Sequence, residues 1–247
     1  MLIEVCANSA ISAIEAQKGG AGRVELCENM LEGGCTPSAG SILFALKNLK
    51  IPVFVMIRPR GGDFCYSEEE FRIMKKDIRT AKELGADGVV FGILNPDGSI
   101  DKVRMKQLVS IARPLGITCH RAFDMTADPF EALEDLIEFG IDRILTSGQQ
   151  MTAPEGAALI RDLIKKAQGR IIIMPGSGVK EHNVVELIRQ TGASEVHVHP
   201  DKQITGRMKY HNPSVYMGKP DLSEHTITIT DAERVKKISY LLKNIQK

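Results

Sequence analysis

Residues 2–27 read LIEVCANSAISAIEAQKGGAGRVELC, and their punctuation decides the fold. Leu2 to Ala7 and Arg23 to Glu28 are β-rich, and between them Ala10 to Lys18 has helical character. Asn8-Ser9 supplies N-cap oxygens for that helix and Gly19-Gly20 ends it. A strand, a helix and a second strand in under thirty residues make one parallel βαβ unit.

The pattern recurs along the whole chain. Further strands are expected at Pro52 to Ile57, Asp87 to Ile93, Ile117 to Ala122, Arg143 to Thr146, Arg170 to Met174 and Glu195 to Val198. Helices are expected from Pro37 or Ser38 to Leu49, from Ser67 to Leu84 behind a capping box with Glu70, and from Asp101 to Arg113. Others run from Asp128-Pro129 to Gly140, Pro154 to Ala167, Glu181 to Gln190 and Asp231 to Asn244. The Pro52 to Ile57 run is almost wholly apolar, as in a parallel strand covered by helices.

Eight such units with short turns predict an α/β protein of one domain, residues 1–247, closed as a (β/α)8 TIM barrel. An open sheet would leave two edges to protect, and the GxGxxG of a dinucleotide-binding first turn is missing. The working face of a barrel lies at the carboxyl ends of its strands. One segment breaks the rhythm, a long loop at 200–230 rich in Gly, Pro, Lys and His, and its start at that face suggests a lid or an oligomer contact.

Composition narrows the partners. A net charge of +1 gives no global field for nucleic acid or anionic lipid, and neither is expected as a partner. No apolar run is long enough to span a bilayer, and Met1-Leu2-Ile3-Glu4-Val5 lacks a signal-peptide pattern, so a cytoplasmic protein is expected. The five cysteines, Cys6, Cys27, Cys35, Cys65 and Cys119, are odd in number and widely spaced, which suits reduced thiols better than a disulfide framework.

Period-two alternation turns Glu4 and Cys6 on the first strand, and Glu25 and Cys27 on the second, into the barrel. Ile3, Val5, Val24 and Leu26 then face the helices. Buried carboxylates need cationic partners, and Arg58, His120 and Arg121 are the expected ones, in a charged cluster of Glu25, Arg58 and His120. Such a cluster serves equally as catalytic machinery or as a structural ion-pair network. Cys6 and Cys27 occupy equivalent places on neighbouring strands about 4.8 Å apart, near enough to share one soft ion such as Cu(I) or to be two small buried hydrophobes.

Two loops and one strand add candidates. Pro175-Gly176-Ser177-Gly178 follows the seventh strand, where barrels often bind phosphate, and Thr146-Ser147-Gly148 offers hydroxyls beside it; a tight turn needing glycine is the alternative. His197 and His199 share one face of the eighth strand, a spacing for two metal ligands or for an acid and an anion donor. His182, His211 and His225 read as surface histidines.

Together, Glu4-Val5-Cys6, Glu25-Leu26-Cys27, Thr36-Pro37-Ser38 with Gly40, Met56 to Phe64, Val90-Phe91-Gly92, His120 to Asp124, Leu145 to Gly148 and Pro175 to Gly178 resemble the CutC copper homeostasis proteins from the first strand to the last helix. The resemblance implies a cytosolic barrel that forms a homodimer or homotetramer and handles a copper ion. It also implies Cu(I) at Cys6 and Cys27, with Cys35, Cys65 and Cys119 outside the metal site. The rival expectation is an enzyme acting on a small anionic or phosphorylated metabolite. There Glu25 and His120 are acid and base, Arg58 and Arg60 hold the anion, Asp124 orients a histidine or the substrate, and Ser147, Gly176 and Gly178 bind phosphate.

Overall fold

The computed structural model describes residues 1–215, 217 and 223–245. Eight parallel strands form the barrel: β1 Leu2–Ala7, β2 Arg23–Leu26, β3 Val53–Met56, β4 Gly88–Phe91, β5 Gly116–Cys119, β6 Arg143–Thr146, β7 Ile172–Pro175 and β8 Glu195–Val198. Their order is β7-β6-β5-β4-β3-β2-β1-β8, so β1 pairs with both β2 and β8. β7 and β8 complete the ring by packing, with the His197 side chain against Gly176.

Seven helices alternate with these strands: α1 Ala10–Lys18, α2 Ala39–Asn48, α3 Glu68–Leu84, α4 Lys102–Ala112, α5 Pro129–Glu138, α6 Ala157–Ala167 and α7 Val184–Thr191. After β8 come two further strands, β9 Asp201–Thr205 and β10 Thr226–Thr230, and then α8 Ala232–Lys243. Local chemistry sets many helix starts. Ser9 accepts from the Ser12 amide, Ser67 and Glu70 form the expected capping box, and Asp128 accepts from the Phe130 and Glu131 amides ahead of α5.

Strand alternation sorts the core into two layers. Ile3, Val5, Val24, Leu26 and Cys119 pack outward with the helices, whereas Cys6, Cys27, Phe54, Met56 and Val90 cluster inside the barrel. Phe54 fills the lower interior because β4 and β5 open on glycines. A Cβ at Gly88 would lie 2.5 Å from its ring, and one at Gly116 2.7 Å.

Two sequence expectations change. β5 stops at Cys119, and the chain turns into a 3-10 segment at Arg121–Met125, because His120 leaves the strand to cap the Ala122 amide. The long segment at 200–230 carries structure of its own, since β9 and β10 pair antiparallel. Asn8 donates to the Thr228 carbonyl and the Thr230 amide donates to Ser12, which ties this hairpin to α1. Residues 216 and 218–222 of that segment lie outside the described residues.

Candidate functional site

The barrel interior has a lower and an upper half. At the bottom, the first residues of β2, β6 and β8 point inward as Arg23, Arg143 and Glu195, and Glu4 of β1 joins them. Arg23 bridges Glu4 and Glu195, the latter at 2.5 Å, and Arg143 reaches the same Glu195 oxygen at 3.1 Å. Both guanidinium groups lie over the Phe54 ring, 4.9 and 5.1 Å from its centroid. Two cations and two carboxylates cancel here.

His197 of β8 links this floor to the level above. Its Nδ1 lies 2.8 Å from Glu4 Oε1, and its Nε2 lies 3.8 Å from Glu25 Oε2. Burial works against a charged ring, but the Glu25 charge, the Cys6 thiol and Glu4 outweigh it and hold the pKa of His197 well above its ordinary value. Burial also works against the Glu4 carboxylate, yet the His197 hydrogen bond and the Arg23 charge bring its pKa down to about 2. For Glu25 burial wins and pushes the carboxyl up to about 7 against the pull of His197.

The carboxylate partners therefore differ from the expected ones. Glu25 meets His197, and the expected ion pairing of Glu25 with Arg58 and His120 does not form. Arg58 turns to the carbonyls of Glu32, Gly34 and Gly62 at 2.6 to 2.9 Å and organises the loops after β2 and β3. Arg23, Arg143 and Glu195 escaped the sequence reading because they open their strands. Arg23 nevertheless shares the parity of Glu25 and Cys27, which is the signal that marks it as inward.

Above Glu25 lie the sulfurs. Cys6 Sγ and Cys27 Sγ are 3.5 Å apart, both buried. A 3-10 turn at Met30–Glu32, entered through a left-handed Asn29 and left through Gly33, folds Met30 back so that its thioether sulfur lies 3.3 Å from Cys27 Sγ and 3.9 Å from Cys6 Sγ. Three soft donors thus form a triangle, and Glu25 lies within 4.8 Å of both thiols. The neighbouring Cys27 thiol and burial hold the Cys6 thiol well above its ordinary pKa. Met30 was missed in the sequence, although its place three residues after Cys27 was the available clue.

Cys6, Glu25 and Met30 border a cavity of about 550 Å³ that opens at the carboxyl ends of the strands. Cys6, Glu25, Met30, Arg58, His120, His197, His199 and Gly178 all line it, with Arg121, Lys180 and Arg234 nearer the rim. His199 is exposed at the cavity, and partial desolvation lowers its pKa.

Other expected site residues lie elsewhere or are already engaged. Asp124 accepts from Thr146, from the Ser147 amide and hydroxyl and from the Gln149 amide, and it pairs with Arg121 at 2.8 Å. It organises the turn after β6 and orients no histidine. Ser147 is spent on Asp124 and Gln150, and the Gly176 amide donates to the Thr146 carbonyl, so of the expected phosphate loop Ser177 and Gly178 border the cavity. Arg60 pairs with Glu70 and Asp63 outside the cavity. His182 is exposed, while His211 and His225 stack on each other at 3.4 Å in the segment after β8.

Among the described residues no helix is long and apolar enough to cross a membrane. The CutC family model matches residues 1–201. A mouse protein named copper homeostasis protein cutC homolog is 48% identical over 99% of this chain and 90% of its own length. A CutC family protein of Parabacteroides distasonis is 53% identical over 95% of this chain and 98% of its own. A solved structure described as a copper homeostasis protein CutC from Streptococcus agalactiae superimposes with a TM-score of 0.77 at 38% identity, covering 80% of this chain and 97% of that one. At 14% identity and a TM-score of 0.59, thiamine phosphate pyrophosphorylase from Pyrococcus furiosus, covering 100% of this chain and 96% of its own, shares the barrel fold alone. With a family match over four-fifths of its length and near-full-length relatives at about half identity, this chain belongs to the CutC family.

Proposed function

We propose that this protein serves copper homeostasis in the cytoplasm by holding Cu(I) between Cys6 and Cys27, with Met30 as a third sulfur donor. The sulfur triangle, with separations of 3.3, 3.5 and 3.9 Å, is the observation that carries this reading. Thiolate and thioether donors are the soft ligands that Cu(I) prefers, and three of them satisfy its low coordination number. The harder group of Glu4, Glu25 and His197 also lies within 4.8 Å, but Glu4 is already committed to Arg23 and His197. Copper is the cargo here. Both thiols give up their protons on binding it, so affinity falls as the pH falls.

The test is a Cu(I) titration of the reduced protein against a competing chelator. The expected result is one equivalent held by the wild type and lost in the double variant Cys6→Ser/Cys27→Ser. Equal affinity in wild type and double variant would remove the site.

A further inference from the structure

The upper wall of the cavity carries a charge and polar atoms that the protein does not pair. Arg58 is only 6% exposed. Its Nη atoms donate to three backbone carbonyls, yet among the described residues it makes no ion pair, and Nε has no partner. Carbonyl oxygens solvate a guanidinium without cancelling its charge, so a full positive charge stays buried beside the cavity.

His120, 3% exposed, stands near it. Its Nδ1 accepts the Ala122 amide at 3.2 Å, which places the proton of the neutral ring on Nε2. Burial and the Arg58 charge bring its pKa down to about 3, so neutral is its state at ordinary pH. That Nε2–H is buried without an acceptor. The Phe64 ring holds both groups in place, 5.2 Å from the Arg58 guanidinium carbon and 5.0 Å from the imidazole centre. Glu25 contributes an unpartnered oxygen, Oε1, to the same cavity.

A buried polar atom left unpaired is costly, because it loses its water without gaining a partner. A fold that satisfies four ionised groups lower in the barrel but leaves two donors and an acceptor on residues lining one cavity above them points to a binding site there. We propose that this wall binds a small hydroxylated anion, a carboxylate or a phosphate ester. Its anionic oxygens accept from Arg58 Nε and His120 Nε2, and its hydroxyl engages Glu25 Oε1. Lys180 at the rim draws such a molecule in. Neither Arg58 nor His120 supplies a sulfur, so this site stands or falls separately from the copper reading.

The experiment uses copper-free, reduced, full-length protein in a buffer without small anions, and calorimetric titration with glycolate, glycerol 3-phosphate, inorganic phosphate and neutral glycerol. The expected result is binding of glycolate or glycerol 3-phosphate and none of glycerol, the first two probes separating carboxylate from phosphate ester. His120→Asn keeps an acceptor for the Ala122 amide and removes Nε2–H; it is expected to weaken the bound probe at least tenfold, as is Arg58→Gln. Should Arg58→Gln release its loops and fail to fold, His120→Asn carries the test alone. Cys6→Ser/Cys27→Ser is expected to bind the probe as the wild type does. Failure of both hydroxylated anions to bind, binding unchanged in His120→Asn, or loss confined to the cysteine variant each overturns the proposal.

Discussion

The two halves of the barrel interior treat polarity in opposite ways. In the lower half Glu4, Arg23, Arg143 and Glu195 match charge for charge around Phe54. In the upper half Arg58, His120 and Glu25 leave atoms unmatched and two thiols face a thioether. Buried charge alone therefore does not mark function. A satisfied network specifies the fold, whereas an unsatisfied one beside a cavity awaits a ligand.

Breaking the lower network has the largest expected effect. Glu4→Gln leaves Arg23 and His197 without their main carboxylate and should lower unfolding free energy by about 3–5 kcal/mol in urea titration. The same group gives an acid dependence. Its folded pKa, about 2, lies below the ordinary 4.5, so its stabilisation is complete above that value and is lost as the pH falls toward 2. Wild type and Glu4→Gln should therefore converge in stability in acid; a constant gap down to the lowest pH would contradict the assignment.

The upper half should respond in affinity more than in stability. Outer-shell changes commonly cost about 10–100-fold in metal affinity, and loss of both thiols should cost more than that, read by chelator competition. Met30→Leu sharpens the comparison further. It conserves volume, so stability should change by less than about 1.5 kcal/mol, while Cu(I) affinity should drop about tenfold. Unchanged affinity would reduce the site to two sulfurs. The smallest effect belongs to the outside: Glu134→Gln breaks the exposed pair with Arg170 and should leave the urea midpoint unmoved.

The upper half was the more legible in sequence, for a geometric reason. Cys6 and Cys27, like Glu25, follow from strand parity alone, because side chains two apart share a face. Parity says nothing about which groups meet across a barrel. Arg23 and Glu195 are 172 residues apart and touch only because β1 lies between β2 and β8. Met30 depends on a left-handed residue at Asn29, which the pattern of apolar residues does not encode. Asp124 fell out of the site because β5 ended at Cys119, before the expected Ala122, leaving the carboxylate to collect amides from the next turn.

Phe54, wedged where Gly88 and Gly116 make room for it, also decides the traffic through the molecule. With the ring and its two guanidinium groups filling the lower interior, the cavity opens toward the strand carboxyl ends. On the copper proposal, delivery and collection share that face, where Arg121, Lys180 and Arg234 line the cavity.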